Sequence, residues 1–314
     1  MLMANLDNLF RQFDNELNIT PSKKDALMTS RDNLRSKIRN HFSKNHSNYN
    51  PTFFIQGSYK LKTLIRTKDD TCDLDDGVYF KVNPDNVTGT TLQRWVKEAV
   101  DGTTDATPEH KKKCIRVDYK AGYNIDLPVF VFNANNEAHP NLAVKNADFQ
   151  TDDPKEFVTE FKAVKSDQMV RMVKCLKSWC DYKRHDMPSG LSMTLLAMKH
   201  FQSNSRDDVA LKFLLIEIET SLKKDFICVM PTTPKNDLFQ NYSSAKETNF
   251  MDNLSKFIVD AKKAIDEKNK LTASRLWKKH LGDRFPEGKD EVEESTSTAS
   301  LASTVGSSKP YFNF

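Results

Sequence analysis

The chain has 314 residues, 38% of them hydrophobic and 20 of them Phe, so it can bury the core of one large domain or of two packed lobes. Its formal net charge is only +4, from 47 Lys and Arg against 43 Asp and Glu, which argues against a dedicated nucleic-acid binder. No apolar stretch is long enough to span a membrane, no signal segment opens the chain, and the five cysteines form no C-x-x-C pair. We therefore expect a soluble cytoplasmic protein with reduced thiols and without structural zinc.

The first part of the chain predicts two helices followed by strands. Apolar residues recur at helical spacing from Leu6 to Leu17, and Pro21 begins a long helix that runs to about Lys44. A further helix is predicted around Gln93–Val100. Apolar runs bounded by turn residues predict strands at Thr52–Ile55 and within LDDGVYF, KKKCIRVDY and YNIDLPVFVF.

From about Pro154 the pattern becomes helical. Predicted helices cover Pro154–Lys165, Gln168–Tyr182, Leu191–Phe201, Val209–Leu222, Asn249–Glu267 and Leu271–His280. From Glu287 onward the chain has few large apolar residues and many Ser, Thr and acidic residues, which is typical of disorder. We predict an α+β fold with three parts: a mixed-sheet lobe at 1–150 that includes the two first helices, a helical lobe at 151–286, and a disordered tail at 287–314. A cleft between the lobes would hold the site.

Three carboxylates are predicted to meet on the sheet. Side chains alternate along a strand, so Asp73 and Asp75 share one face while Leu74 and Asp76 take the other. If the strand that carries Asp126 pairs nearby, a third carboxylate joins them. Because such carboxylates repel one another, this arrangement favours a hard divalent cation such as Mg²⁺, and two such ions suit phosphoryl transfer.

A Gly-Ser turn precedes the acidic strand. Gly57 lets backbone approach a phosphate, and Ser58 offers an N–H group and a hydroxyl to anionic oxygens. Each motif alone is common in solvated turns, but the combination with a later Asp126 inside an apolar run favours a nucleotide site.

These motifs resemble the polymerase-β-type nucleotidyltransferase superfamily. QGSYKLKT, DLDDGVYF and IDLPV are similar to the CD-NTase family, in particular to its bacterial cyclic GMP-AMP synthases. The resemblance implies a nucleotidyltransferase lobe followed by a helical lobe. It also implies that Asp73 and Asp75 hold two Mg²⁺ ions, for which Mn²⁺ can substitute. Asp126 would complete one metal site and help to deprotonate the attacking ribose hydroxyl.

The resemblance also implies nucleotide contacts. Gln56, Gly57 and Ser58 would grip the donor triphosphate. In LKSWCDYKRHDMPSGLSMTLL, Lys177 and Ser189 would meet its β- and γ-phosphates, with Lys174 as the alternative lysine because spacing favours neither. Asp237, in the loop Pro231–Ser244, would contact a base edge.

Several other features have simpler interpretations. No His/Cys cluster could form a zinc ribbon, and His139, His185 and His280 are interpreted as isolated surface or core residues. Lys111–Lys113 is interpreted as a solvated strand entry rather than a nucleic-acid track. The tail ends in KPYFNF, which predicts either an unremarkable end or a docking or conjugation site for a partner protein.

The resemblance thus predicts an enzyme that joins ATP and GTP into a cyclic GMP-AMP for anti-phage signalling and releases pyrophosphate. One alternative is a linear or RNA-tailing nucleotidyltransferase, which would need a basic RNA track. The other is a catalytically idle nucleotide- or peptide-binding module, which would have little use for three mutually repelling carboxylates.

Overall fold

The computed structural model describes residues 3–83, 87–132 and 138–292. The helices are α1 Asp7–Glu16, α2 Pro21–Asn45, α3 Gly57–Leu61, α4 Gly89–Val100, α5 Pro154–Val164, α6 Asp167–Lys183, α7 Gly190–His200, α8 Asp207–Lys224, α9 Ser244–Asp266 and α10 Lys270–Leu281. The strands are β1 Pro51–Gln56, β2 Cys72–Phe80, β3 Glu109–His110, β4 Ile115–Tyr119, β5 Tyr123–Leu127, β6 Val129–Val131, β7 Asn141–Leu142 and β8 Gln150–Thr151. The predicted α+β fold is confirmed.

One mixed sheet carries the acidic strand at its centre. The strand order is β3-β4-β5-β2-β6-β7-β8, and β1 pairs with β2 off this path. β2 runs antiparallel to β1 and parallel to both β5 and β6, so its two ends have different neighbours. Central strands bury both faces, and β2 is buried along most of its length.

The face of β2 opposite Asp73 packs on α2 and α4. Leu74 and Val78 are fully buried there against Leu34 and Ile38 of α2. Asp76 also points to this side, where Arg35 of α2 holds both of its carboxylate oxygens. The alternation along β2 therefore directs the hydrophobic residues and Asp76 into the core, and leaves Asp73 and Asp75 for the opposite face.

The helical half has a separate core, and α1 belongs to it. Phe10 of α1 packs edge-to-face on Trp277 and Phe285, with ring centroids 5.0 Å apart in both pairs. Asp7 of α1 accepts a hydrogen bond from the first backbone N–H of α8, at Asp207. The sequence predicts α1 as part of the sheet lobe. The apolar spacing correctly predicts a helix, but α1 packs on α8 and α10 of the helical half.

The first residues of the predicted tail contact α10. Glu287 forms ion pairs with Arg275 and Lys278, and Gly288 donates its N–H to the Ser274 hydroxyl. Residues 287–292 therefore lie against the helical lobe, and the predicted boundary at Glu287 is too early. The rest of the predicted tail, 293–314, lies outside the described residues. None of the helices within the described ranges has the length and apolar character to cross a membrane.

Candidate active site

Asp73 and Asp75 line one cavity between the sheet and the helices. The cavity has a volume of about 460 Å³ and is lined also by Gly57, Ser58 and Lys177. A second cavity of about 440 Å³ adjoins it, because Asp73, Lys177 and Gly190 line both. The prediction that two carboxylates on one face of a strand meet a Gly-Ser turn therefore holds in the structure.

Asp75 is held in an unfavourable environment for a negative charge. Burial, above all, and the charges of Asp73 and Asp126 raise its pKa from the usual 3.8 to about 7. Lys177 and Arg116 favour the ionised form, but they do not offset the burial and the two carboxylates. Carboxylate oxygens in such a group are suitable ligands for a hard divalent cation, which would relieve the repulsion.

The Gly-Ser turn fits closely around Asp75. Gly57 has φ +61°, and a Cβ atom at this position would overlap the Asp75 carboxylate. The Oγ of Ser58 is buried and has no hydrogen-bond partner among the residues that the structure describes. The side chain of Gln56 accepts a hydrogen bond from the Tyr79 hydroxyl at 3.1 Å and lines the same cavity. Such a buried hydroxyl beside two carboxylates suits the binding of a metal-bound phosphate, because a phosphate oxygen would accept its hydrogen bond.

Of the two candidate lysines, Lys177 reaches the cleft. Its Nζ donates to the Thr63 carbonyl at 2.8 Å. Burial lowers its pKa, although nearby Asp73 and Asp75 favour the charged form. Lys174 instead points to α1, where its Nζ contacts Asp14 at 3.0 Å. The geometry thus places Lys177, and not Lys174, beside the carboxylates.

Ser189 and Asp237 have local structural partners. The Ser189 hydroxyl accepts from the Ser192 backbone N–H at 3.1 Å and caps α7, whereas Gly190 is the residue there that lines both cavities. Asp237 Oδ1 accepts from the backbone N–H groups of Cys228 at 2.7 Å and Phe239 at 2.9 Å. Asp237 lines neither cavity, so the structure does not bring it to the cleft. Its short side chain is used to hold its own loop.

Asp126 lies beside Asp75 but faces a different partner. In the parallel pairing of β2 and β5, Asp75 and Asp126 are directly opposite. Both Asp126 oxygens accept from Arg116 of β4, at 2.7 and 2.6 Å, and Asp126 lines neither cavity. Burial, above all, and the Asp126 charge raise the pKa of the Cys114 thiol to about 12, so this neighbour is neutral near pH 7.

Sequence reasoning missed Arg116, although the signal was present. The strands Ile115–Tyr119 and Tyr123–Leu127 are joined by a three-residue connection, and their antiparallel register pairs Arg116 with Asp126. A register counted outward from that turn would have placed the guanidinium opposite the carboxylate.

A second group of metal-ligating side chains lies near the mouth of the cleft. Within the described residues, His139, Asp153 and Glu156 form the one group of three whose ligand atoms lie within 4.8 Å of one another. His139 Nδ1 lies 3.1 Å from Asp153, and its Nε2 lies 3.3 Å from the Thr233 hydroxyl. The interpretation of His139 as isolated is wrong, because residues distant in sequence converge on it. Each of the three side chains already has a protein partner: Asp153 Oδ1 accepts from the first backbone N–H groups of α5, and Glu156 Oε2 accepts from the Thr233 N–H.

The sequence of the sheet region matches a known family. Residues 51–130 match the family described as "Cyclic GMP-AMP synthase DncV-like, nucleotidyltransferase domain". The cyclic GMP-AMP synthase of Escherichia albertii is 25% identical in an alignment of 203 residues that covers 59% of this chain. The match spans 45% of that relative, less than half of its length.

The fold extends the likeness to the helical half. The Vibrio cholerae DncV cyclic AMP-GMP synthase in complex with the linear intermediate 5′ pppA(3′,5′)pG has a TM-score of 0.76 at 16% identity, covering 91% of this chain and 98% of that one. A mutant of the Vibrio cholerae dinucleotide cyclase in complex with ATP, GTP and 5MTHFGLU2 has a TM-score of 0.78 at 16% identity, covering 90% and 97%. At this identity the structures establish a shared fold. The sequence likeness to the DncV-like nucleotidyltransferase domain is carried by residues 51–130, and the shared fold covers about nine tenths of the chain.

Proposed function

We propose that this protein is a Mg²⁺-dependent nucleotidyltransferase that joins ATP and GTP into cyclic GMP-AMP and releases pyrophosphate. The observation that carries the proposal is the meeting of Asp73, Asp75 and the unpartnered Ser58 hydroxyl in one cavity. These three residues lie within the segment 51–130 that matches the cyclic GMP-AMP synthase DncV-like nucleotidyltransferase domain. The cyclic AMP-GMP product of the Vibrio cholerae relative supports the choice of the two nucleotides.

In this proposal, one set of side chains binds the metal ions and another set binds the triphosphate. Asp73 and Asp75 hold the divalent cations, and Asp126 contributes a further oxygen. When bound, the metal ions stabilise the charge that develops on the attacking and leaving oxygens. Ser58 donates its hydroxyl to the donor triphosphate, and Lys177 supplies a positive charge from α6.

The two adjoining cavities support a reaction between two nucleotides. The donor triphosphate lies beside Ser58, and the acceptor lies in the cavity bounded by Thr67, Thr71 and Arg184. Asp73 and Lys177 line both cavities, so the reacting hydroxyl and the donor phosphate would meet at these side chains. A second transfer in the same site closes the ring, after the linear product has turned around.

The lining of the acceptor cavity favours a small acceptor over RNA. Asp69, Asp73 and Asp181 stand against Lys177 and Arg184, so this lining has no excess of positive charge. A polymeric acceptor would be expected to follow a basic path, as nucleic-acid backbones require. We propose further that the product acts as a second messenger in cytoplasmic anti-phage signalling.

Labelled nucleotides test the proposed reaction. The purified protein is incubated with Mg²⁺ and ATP, GTP or both, with one label at a time on the α-phosphate, and the products are treated with phosphatase. A phosphatase-resistant dinucleotide that requires both ATP and GTP is expected, and digestion with a 3′–5′-specific nuclease then identifies its linkages. A product that forms from a single nucleotide, or that loses one of the two labels to phosphatase as a linear dinucleotide does, would contradict the proposal.

A further inference from the structure

We propose that Arg116 is a positioning residue that competes with metal cations for the Asp126 carboxylate, and that Asp126 is therefore a weaker metal ligand while Arg116 holds it. This inference rests on the proposed function, because it takes Asp126 as a metal ligand. It concerns the regulation of that site by a residue outside the family motifs quoted above.

The contact between Arg116 and Asp126 involves both oxygens of the carboxylate. Nε of Arg116 donates to Oδ1 at 2.7 Å, and Nη2 donates to Oδ2 at 2.6 Å. This fork is the strong geometry for an Arg–carboxylate pair. The backbone supports it, because Arg116 and Asp126 are direct partners across β4 and β5.

The same contact turns Asp126 away from the cleft. Asp73 and Asp75 line the cavity that contains Ser58, whereas Asp126 does not, although its Cα is paired with that of Asp75. A cation that binds Asp126 beside Asp75 must use a lone pair next to the guanidinium or replace one of its two hydrogen bonds, so in either case it lies close to Arg116. A guanidinium and a divalent cation on one carboxylate also repel each other.

The Arg116–Asp126 pair is more exposed than the comparable pair on the other face of the sheet. The Arg116 side chain is 27% exposed, and that of Asp126 is 13% exposed. The pair Arg35–Asp76 has the same fork, at 2.7 and 2.5 Å, but the Asp76 side chain is 0% exposed and packs under α2. Arg35–Asp76 is thus a structural pair, and it provides a matched control.

The arrangement predicts unequal affinities for metal. The cleft-facing pair Asp73 and Asp75 is open to a cation without rearrangement. A cation that also binds Asp126 lies close to the Arg116 guanidinium or displaces it, so its site is weaker until the guanidinium is removed. Arg116 therefore disfavours full occupation of the site by metal alone.

Mn²⁺ binding measured by electron paramagnetic resonance, without nucleotide, tests this inference. We expect Arg116→Met to bind Mn²⁺ at least roughly fivefold more tightly than the wild type, because a competing positive charge is removed. Arg116→Lys, which keeps the charge but not the fork, should lie between them. Arg35→Met should leave Mn²⁺ affinity unchanged. In an Asp126→Asn background the Arg116 substitutions should have no effect, because the contested ligand is absent.

Weaker metal binding after loss of Arg116 would indicate a different role for this residue. If Arg116 only supports Asp126 as an outer-shell partner, its loss would weaken metal binding by about 10–100-fold. Weaker binding by Arg116→Met, or affinity equal to the wild type, would overturn the inference. If Arg116→Met does not fold, as judged by its melting curve, Arg116→Lys gives the same two outcomes.

The readouts separate this inference from the proposed function. Failure of the wild type to form a cyclic dinucleotide, together with tighter Mn²⁺ binding by Arg116→Met, would contradict the function and leave the competition intact. An active wild type with unchanged or weaker Mn²⁺ binding by Arg116→Met would support the function and contradict the competition.

Discussion

The backbone of Gly57 lies directly against the carboxylate of Asp75, with no room between them for a Cβ atom. The turn that would receive phosphate and the strand that would hold metal are therefore in contact through a glycine. Gly57→Ala should reduce turnover by more than tenfold and destabilise the fold by about 1–2 kcal/mol, since φ +61° is also unfavourable for Ala.

Gly102 offers a control that separates strain from the clash. It has φ +65° and open space around the position of a Cβ atom. Gly102→Ala should therefore cost about the same backbone strain and leave turnover unchanged. Both variants are compared by thermal melting and by initial rate. Normal turnover in Gly57→Ala would show that the contact with Asp75 does not matter.

Asp75→Asn should stabilise the protein in EDTA while it removes activity. The pKa of Asp75 is raised to about 7 in the folded state, so the folded state binds this proton more tightly than the unfolded state. Stability from this group is complete below the unfolded pKa and is lost as pH rises to about 7. Asn carries no such charge, so the variant should melt higher than the wild type above that pH.

Melting curves in EDTA at about pH 5 and about pH 8 test the sign of this effect. The advantage of Asp75→Asn should grow with pH, and Mg²⁺ should raise the melting temperature of the wild type more than that of the variant. A variant that is less stable than the wild type at the higher pH would contradict the raised pKa.

Ser58→Ala and Ser189→Ala should have contrasting effects. Within the described part of the chain the Ser58 hydroxyl has no hydrogen-bond partner, so its removal should leave stability nearly unchanged. If it donates to phosphate, the KM for nucleotide should rise about tenfold or more, since a hydrogen bond to a charged group contributes about 1.5–3 kcal/mol. Ser189 caps α7, and its loss should cost about 0.5–2 kcal/mol of stability. A normal KM for Ser58→Ala would remove Ser58 from the phosphate site, and a raised KM for Ser189→Ala would restore Ser189 to it.

The two neighbouring lysines of α6 should also behave differently. Lys177→Met should raise the KM for nucleotide, because this ammonium lies beside Asp73 and Asp75. Lys174→Met should instead lower the melting temperature, since it leaves Asp14 of α1 without its ion pair. Steady-state kinetics and melting curves on both variants make the comparison. The reverse pattern would show that the cleft lysine is misassigned.

Strand periodicity was sufficient to place Asp73 and Asp75. With a period of two residues, the burial of Leu74 and Val78 determines which face the carboxylates take, and the structure agrees. The Gly-Ser motif likewise predicted the turn that now lies against Asp75. Both patterns depend only on residues that are close together in the sequence, so a single sequence is enough to recognise them.

Contacts between distant segments could not be predicted in the same way. The choice between Lys174 and Lys177 depends on which side of α6 meets α1, and nothing in either segment encodes that packing. The contact of His139 with Asp153 depends in the same way on how two connections are brought together. Arg116 is different, because its partner follows from the register of one short hairpin.

The most direct test of the central claim is product formation by Asp73→Asn and Asp75→Asn in saturating Mg²⁺, ATP and GTP. If these carboxylates hold the catalytic metal ions, both variants should fold and make essentially no cyclic dinucleotide, because the metal clamp fails without its anionic ligands. Retention of about a tenth or more of wild-type turnover by either folded variant would exceed the residual expected after loss of an essential group, typically about 10²–10⁴-fold down, and would contradict the account.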